Sequence, residues 1–296
     1  LASGPMAIAG STRMQATTLE ILVVGAALEL ALARLGAARG LALPGAPGSD
    51  PGAFYGGRLQ ALLDALARPA AVQALAGWTA FEEALYAGRG AVTYLAGRCL
   101  LDIFTDTTER APTFMLPPFR RCDDAVSPRS WAFVKHPLLE TPAAWRDALA
   151  REPRCLEWTP EIYRQMGAPE PIWKKPPAIG VRDLESFRIG REPDASRHAA
   201  PSDAALLVLA GPEAAAAASP GDPLAAAASA AARPFPRRLV AGVGPEAPPA
   251  GPDWEGGFHV ACEPPDSPLS LWERLAVKLA LNTVSTATMA RLGRVR

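Results

Sequence analysis

Two hydroxyls and a guanidinium, Ser11, Thr12 and Arg13, follow Gly10 and stand directly ahead of a long apolar run, "LEILVVGAALELALARLG" at 19–36. That order puts them at the opening of a helix. Unpaired N–H groups and the positive end of the helix dipole face outward there. The adjacent hydroxyls add donors, and Gly10 lets an anion approach closely. Gly10, Ser11, Thr12 and Arg13 are therefore a candidate phosphate or sugar-phosphate contact. The competing use is local: Ser11 or Thr12 caps the helix, and Arg13 pairs with a neighbouring carboxylate. Short motifs of this kind recur by chance, and taken alone the cap is the commoner outcome.

Other polar residues carry less. The turn "LAGRCLL" (95–101) stands where an α/β sheet holds a ligand, but it has one glycine and no hydroxyl, so tight phosphate binding is not expected of it. Asp102, Asp106 and Glu109 fall at i, i+4 and i+7 and are expected to form a solvated helix face. His136 closes the run "WAFVKHP" and reads as a structural histidine at a strand end. Ser285, Thr286 and Thr288 sit inside a helical pattern, where hydroxyls bond back to the helix. Cys99, Cys122, Cys155 and Cys262 form no CxxC pair, and His136, His198 and His259 are scattered. Neither a metal site nor a disulfide framework is implied, no cofactor motif is present, and a reducing cytoplasm is expected.

These residues must be held by a sizeable fold. The chain has 296 residues, enough for one large domain or two modest ones. Apolar residues make up 49% and charged residues 20%, as in globular proteins. With 30 basic and 30 acidic residues, no basic face for nucleic acid is expected. The apolar run at 19–36 is interrupted by Glu20, Glu29 and Arg34, so a buried amphipathic helix is expected and not a membrane span. The chain opens on Leu1 and stops at Arg296 with a helical pattern barely finished, so both natural ends are expected to lie outside it.

Residues 11–36 read as one helix, 40–52 as a Pro/Gly loop, and 56–86 as two helices parted at Pro69. "AVTYLAG" (91–97), "AALLVLAG" (204–211), "RRLVAGVG" (237–244) and "GGFHVAC" (256–262) read as strands, with "PTFML" (112–116) as a further one. "RCLLDIFTDTTERA" reads as a helix. The alanine-rich 211–234 is either a helix broken at Pro220 or a surface insert, and "WTPEIYRQMG" is a short helix capped by Thr159. Strands alternating with helices predict an α/β fold with a doubly wound parallel sheet flanked by helices.

Two stretches also resemble a known group. "GPMAIAGSTRMQATT" (4–18) is similar to the signature of N-acetylmuramic acid 6-phosphate etherases and glucokinase regulatory proteins, which are sugar-isomerase (SIS) domain proteins that bind phosphosugars. "LALNTVSTATMARLGRV" (279–295) is similar to a second stretch of that group, and "VTYLAGRCLLDIF" (92–104) resembles the opening of the regulatory protein's second SIS domain. The distance between the two stretches matches the two-domain regulatory layout. It implies the tail of a first SIS domain at 1–45, a helical connector at 46–89 and a second SIS domain at 90–296. The resemblance implies that Ser11, with Gly10, Thr12 and Arg13, contacts a phosphosugar. It implies a regulatory or sensing role, a sugar kinase or another protein as partner, and SIS–SIS pairing within the chain or as a homodimer. Met6, Gln15 and Thr17 depart from the family's Glu, Lys and Gly, which speaks against the alternative of an etherase-like lyase. A structural SIS module with a decayed pocket is the third alternative.

Overall fold

The computed structural model describes residues 12–43, 45–154, 158–194, 200–249 and 251–295. Three helices come first: α1 (Thr12–Ala38), α2 (Pro51–Leu66) and α3 (Pro69–Ala87). Then follow β1 (Val92–Leu95), α4 (Leu100–Phe114), β2 (Ala132–Lys135), α5 (Thr141–Leu149), α6 (Pro160–Gln165), α7 (Glu170–Lys174) and α8 (Val181–Glu185). The second half holds β3 (Ala204–Ala210), α9 (Pro212–Ala217), α10 (Pro223–Ala232), β4 (Arg237–Gly244), β5 (Gly256–Ala261) and α11 (Leu271–Arg291).

All five strands are parallel, in the order β2-β1-β3-β4-β5. Every residue of the central strand β3 is buried. An unbroken apolar run such as AALLVLA suits that position, because both faces of a parallel sheet are covered. Alternate residues serve the two layers. Leu206 and Val208 face a thick layer with Trp78 of α3, Ile103 of α4 and Leu275 of α11. Ala205, Leu207 and Leu209 face a thin layer built on α9 and α10. The alanine-rich segment is that second layer: Ala228 and Ala232 are fully buried, and Asp222 caps α10 by accepting from Ala225 N–H at 2.8 Å.

Helix α1 runs antiparallel to α11. Thr286 Oγ1 approaches Met14 Sδ at 3.7 Å, Asn282 Nδ2 donates to Thr18 Oγ1 at 3.1 Å, and Gly25 abuts Leu271. A Cβ on Gly25 would come within 2.5 Å of a Leu271 methyl, so glycine sets the closeness of this crossing. Glu29 is fully buried and accepts from Tyr55 Oη at 3.2 Å and from Leu269 N–H at 3.1 Å. The expected burial of α1 is corrected: 11% of its apolar window is buried, because α11 covers one face and leaves Val24, Leu28 and Leu35 exposed, and by length and composition the helix is apolar enough to cross a membrane.

A second expectation is corrected here. "PTFML" is no strand: Pro112–Phe114 form the last turn of α4, and Met115 closes it in the left-handed region at φ 54. Phe114 and Leu116 stay in the core, and the amides of Met115 and Leu116 return to Ala111 O, which satisfies the helix end. The residues 46–89, read as a connector, pack directly on the sheet: Trp78 is fully buried and stacks on Phe258 of β5 at 5.8 Å. The broken 211–234 helix and the Thr159 cap on α6 are observed as expected.

Candidate functional site

The chain leaves β1 through α4 to β2 on one side, then returns to β3 on the other side of β1. The loops after β1 and β3 therefore part at their carboxyl ends, where this architecture opens a crevice. A cavity of about 450 Å³ lies there, with Arg98, His136, Asp147, Glu213, Asp222 and Arg274 as its polar lining. A neighbouring hollow of about 320 Å³ lies between Arg98, Gly211, Ser270 and Glu273. Arg98 divides the two. Its Nε donates to Glu273 Oε1 at 2.6 Å and its Nη2 to Ser270 Oγ at 2.5 Å.

The turn after β1 opens α4, whose N-cap Cys99 makes no side-chain capping bond. Glu213, at the start of α9, reaches across the crevice to the turn ahead of that cap. Its Oε1 accepts from Arg98 N–H at 2.7 Å. Gly97 makes room for it, since a Cβ there would collide with this carboxylate oxygen. Oε2 is shielded from solvent with no hydrogen-bond partner among the described residues. Burial pushes the Glu213 carboxyl up to about 7, against the pull of the Arg98 amide and guanidinium. His136 Nδ1 accepts from the amides of Leu138 at 3.1 Å and Leu139 at 3.2 Å, and burial lowers its proton affinity. The ring is thus a neutral cap with Nε2–H left for the cavity. His136 is a structural histidine at a strand end, and it also has a place in the lining.

The acidic face of α4 is not solvated as expected. Asp102, Asp106 and Glu109 are all buried. Asp102 accepts from Arg274 Nη1 at 3.0 Å, Asp106 accepts from Arg110 Nε at 2.8 Å and Ser285 Oγ at 3.2 Å, and Glu109 pairs with buried Lys278. Arg110 also donates to Glu82 Oε2 at 3.0 Å, Tyr86 Oη at 2.9 Å and Tyr94 Oη at 2.9 Å. The face is covered because α4 and α11 pack side by side against the sheet. Arg110 lies at i+4 of Asp106 within α4, but Arg274, Lys278 and Ser285 come from α11, and spacing within α4 says nothing of them. Burial raises Asp102 to about 6, opposed by Arg274.

Of the residues singled out in the sequence, Gly10 and Ser11 lie outside the described residues. Thr12 opens α1, and Arg13 is exposed on its first turn. Met14 abuts Thr286, thirteen residues along α11 from Glu273. At 1.5 Å per residue, the start of α1 and the crevice are about 20 Å apart. The described part of the first stretch, 12–18, lies beside the second, 279–295, and both are away from the crevice. The residues that sequence reasoning missed are Glu213 and Arg274. A Gly-Pro-Glu following a fully apolar strand was the available signal for Glu213, since it places a carboxylate at the carboxyl end of the sheet. Arg274 had none.

Among the described residues no cluster of His, Cys, Asp and Glu is arranged to hold a metal ion. No protein-family model, no curated protein and no solved structure matches the chain.

Proposed function

We propose that this chain is a phosphosugar-binding protein of SIS type with a regulatory or sensing role, acting in the cytoplasm on a partner such as a sugar kinase. The phosphate contact is the start of α1: Gly10, Ser11, Thr12 and Arg13. The observation that carries the reading is the seating of α1 on α11 through Thr18–Asn282 and Met14–Thr286. The two stretches that resemble the SIS group thereby meet on one wall.

The crevice supports binding over catalysis. The Arg98 amide, where this architecture would meet a phosphate, is already taken by Glu213. Glu213 has the proton affinity of a general base, and that one observation favours the lyase reading. Its Oε1 is committed to an amide and its Oε2 is screened from solvent, which is poor access for abstracting a substrate proton.

Titration calorimetry against a panel of hexose and amino-sugar phosphates, with product formation followed on the same samples, tests the proposal. Binding without turnover, weakened about tenfold in Ser11→Ala by loss of one charge-assisted hydrogen bond, is expected. Unchanged affinity in Ser11→Ala overturns the assigned contact. Turnover favours the lyase, and no binding by any sugar phosphate favours a structural module.

A further inference from the structure

The outer face of α1 is apolar and unpartnered. Val23, Val24, Leu28, Leu32 and Leu35 are each between 37% and 58% exposed on one helix. Monomers seldom leave so continuous a stripe to water. Ala27 and Ala31, both exposed, lie within the stripe and offer the small surface that lets two helices approach to about 8 Å.

The charges on this face are arranged symmetrically. Glu20 and Arg34 are exposed and lie seven residues to either side of Ala27. Seven residues turn a helix by nearly two full turns, so all three lie close to one line along the axis. Neither Glu20 nor Arg34 forms an ion pair among the described residues. A twofold axis through Ala27 would set Glu20 of each copy against Arg34 of the other, and Val24 near the partner's Ala31. A parallel pairing would instead oppose like charges. We propose that residues 20–35 of α1 form an isologous, antiparallel interface with α1 of a second copy of this chain.

A lipid surface fits the stripe less well. It offers no partner to Glu20, and buried Glu29 is tied to Tyr55 and the Leu269 amide, which holds α1 on the protein. Self-complementary charge favours a second copy, which supplies a partner to Glu20 and to Arg34 at once.

Sedimentation equilibrium of the 296-residue chain is the test, with far-UV circular dichroism to verify that each variant is folded. The wild type should be a dimer, and Leu28→Glu, at an exposed position, should render it monomeric. Glu20→Arg or Arg34→Glu alone should weaken dimerisation about tenfold or more, because each turns two attractions into repulsions. The double variant Glu20→Arg/Arg34→Glu should recover the wild-type constant. A wild type that stays monomeric at high micromolar concentration overturns the proposal. So does a dimer indifferent to Leu28→Glu, a charge-swapped double that fails to recover, or flotation of the wild type with phospholipid vesicles that Leu28→Glu abolishes.

Discussion

Replacing Glu213 by Gln isolates the energetic cost of placing a carboxylate in the crevice. The amide oxygen of Gln can still accept from Arg98 N–H, while the charge is removed. In the wild type the folded chain holds the Glu213 proton up to about pH 7, whereas the unfolded chain releases it near 4.5. Below 4.5 both states are protonated and the group contributes no pH dependence. Between 4.5 and about 7 only the unfolded state ionises, so stability falls as pH rises through that window. Above about 7 the folded state carries the whole cost. At 1.36 kcal/mol per pH unit, the interval of about 2.5 units corresponds to about 3 kcal/mol. Glu213 is only half-buried, and solvent screening reduces this to about 1–2 kcal/mol. Urea unfolding of both proteins at about pH 5 and about pH 8 reads the effect directly. The gain of Glu213→Gln over wild type should be larger at the higher pH by that amount. Asp102, raised to about 6, imposes a slope of the same sign on both proteins and cancels in the difference. A gain equal at both pH values, or larger in acid, would show that Arg98 keeps Glu213 ionised in the fold.

The remaining predictions concern packing. Arg110→Met leaves Glu82 and Asp106 buried without their cation; it should cost about 3–5 kcal/mol in urea unfolding. Adding Glu82→Gln and Asp106→Asn should restore most of it, and a single-variant cost under about 1 kcal/mol would refute the pairing. Gly25→Val drives a side chain onto Leu271 and should cost about 1–3 kcal/mol. The penalty should shrink in a Leu271→Ala background, and strict additivity in that double-mutant cycle would remove the contact from the account.

The fold was legible where burial dictates composition. β3 and β4 carry apolar runs because both sheet faces are covered, and the breaks at Pro69 and Pro220 parted helices where proline must. The misreadings share one cause. "PTFML" has the composition of a strand, but Phe114 and Leu116 reach the core from a helix end, which no local pattern distinguishes. The α4 carboxylates have helical spacing on a face that reads as solvated, until Arg274, Lys278 and Ser285 arrive from about 170 residues away. Local periodicity reports which residues share a face. It does not report what covers that face.

The candidate sites divide in the same way. The expectation of an anion contact at the α1 start rests on helix electrostatics and on resemblance, so Gly10, Ser11, Thr12 and Arg13 could be named without a fold. The crevice could not, because its character depends on a carboxylate delivered from the next loop. The Arg98 amide, in the turn between β1 and α4, is a donor that a phosphate or a carboxylate satisfies equally well. Glu213 satisfies it from within the chain, and Gly97 has no side chain to prevent this. An anionic ligand entering the crevice must therefore displace Glu213 or meet it protonated, a population that shrinks above about pH 7. A neutral, hydroxyl-rich ligand faces no such competition, since Asp147 and Asp222 add further acceptors and His136 Nε2–H a donor. With about 20 Å of α11 between them, the two places suit different chemistry. Under the proposed function, phosphate is held at the start of α1; a single sugar phosphate cannot span about 20 Å, so the crevice is a separate place, suited to an uncharged molecule bearing hydroxyls.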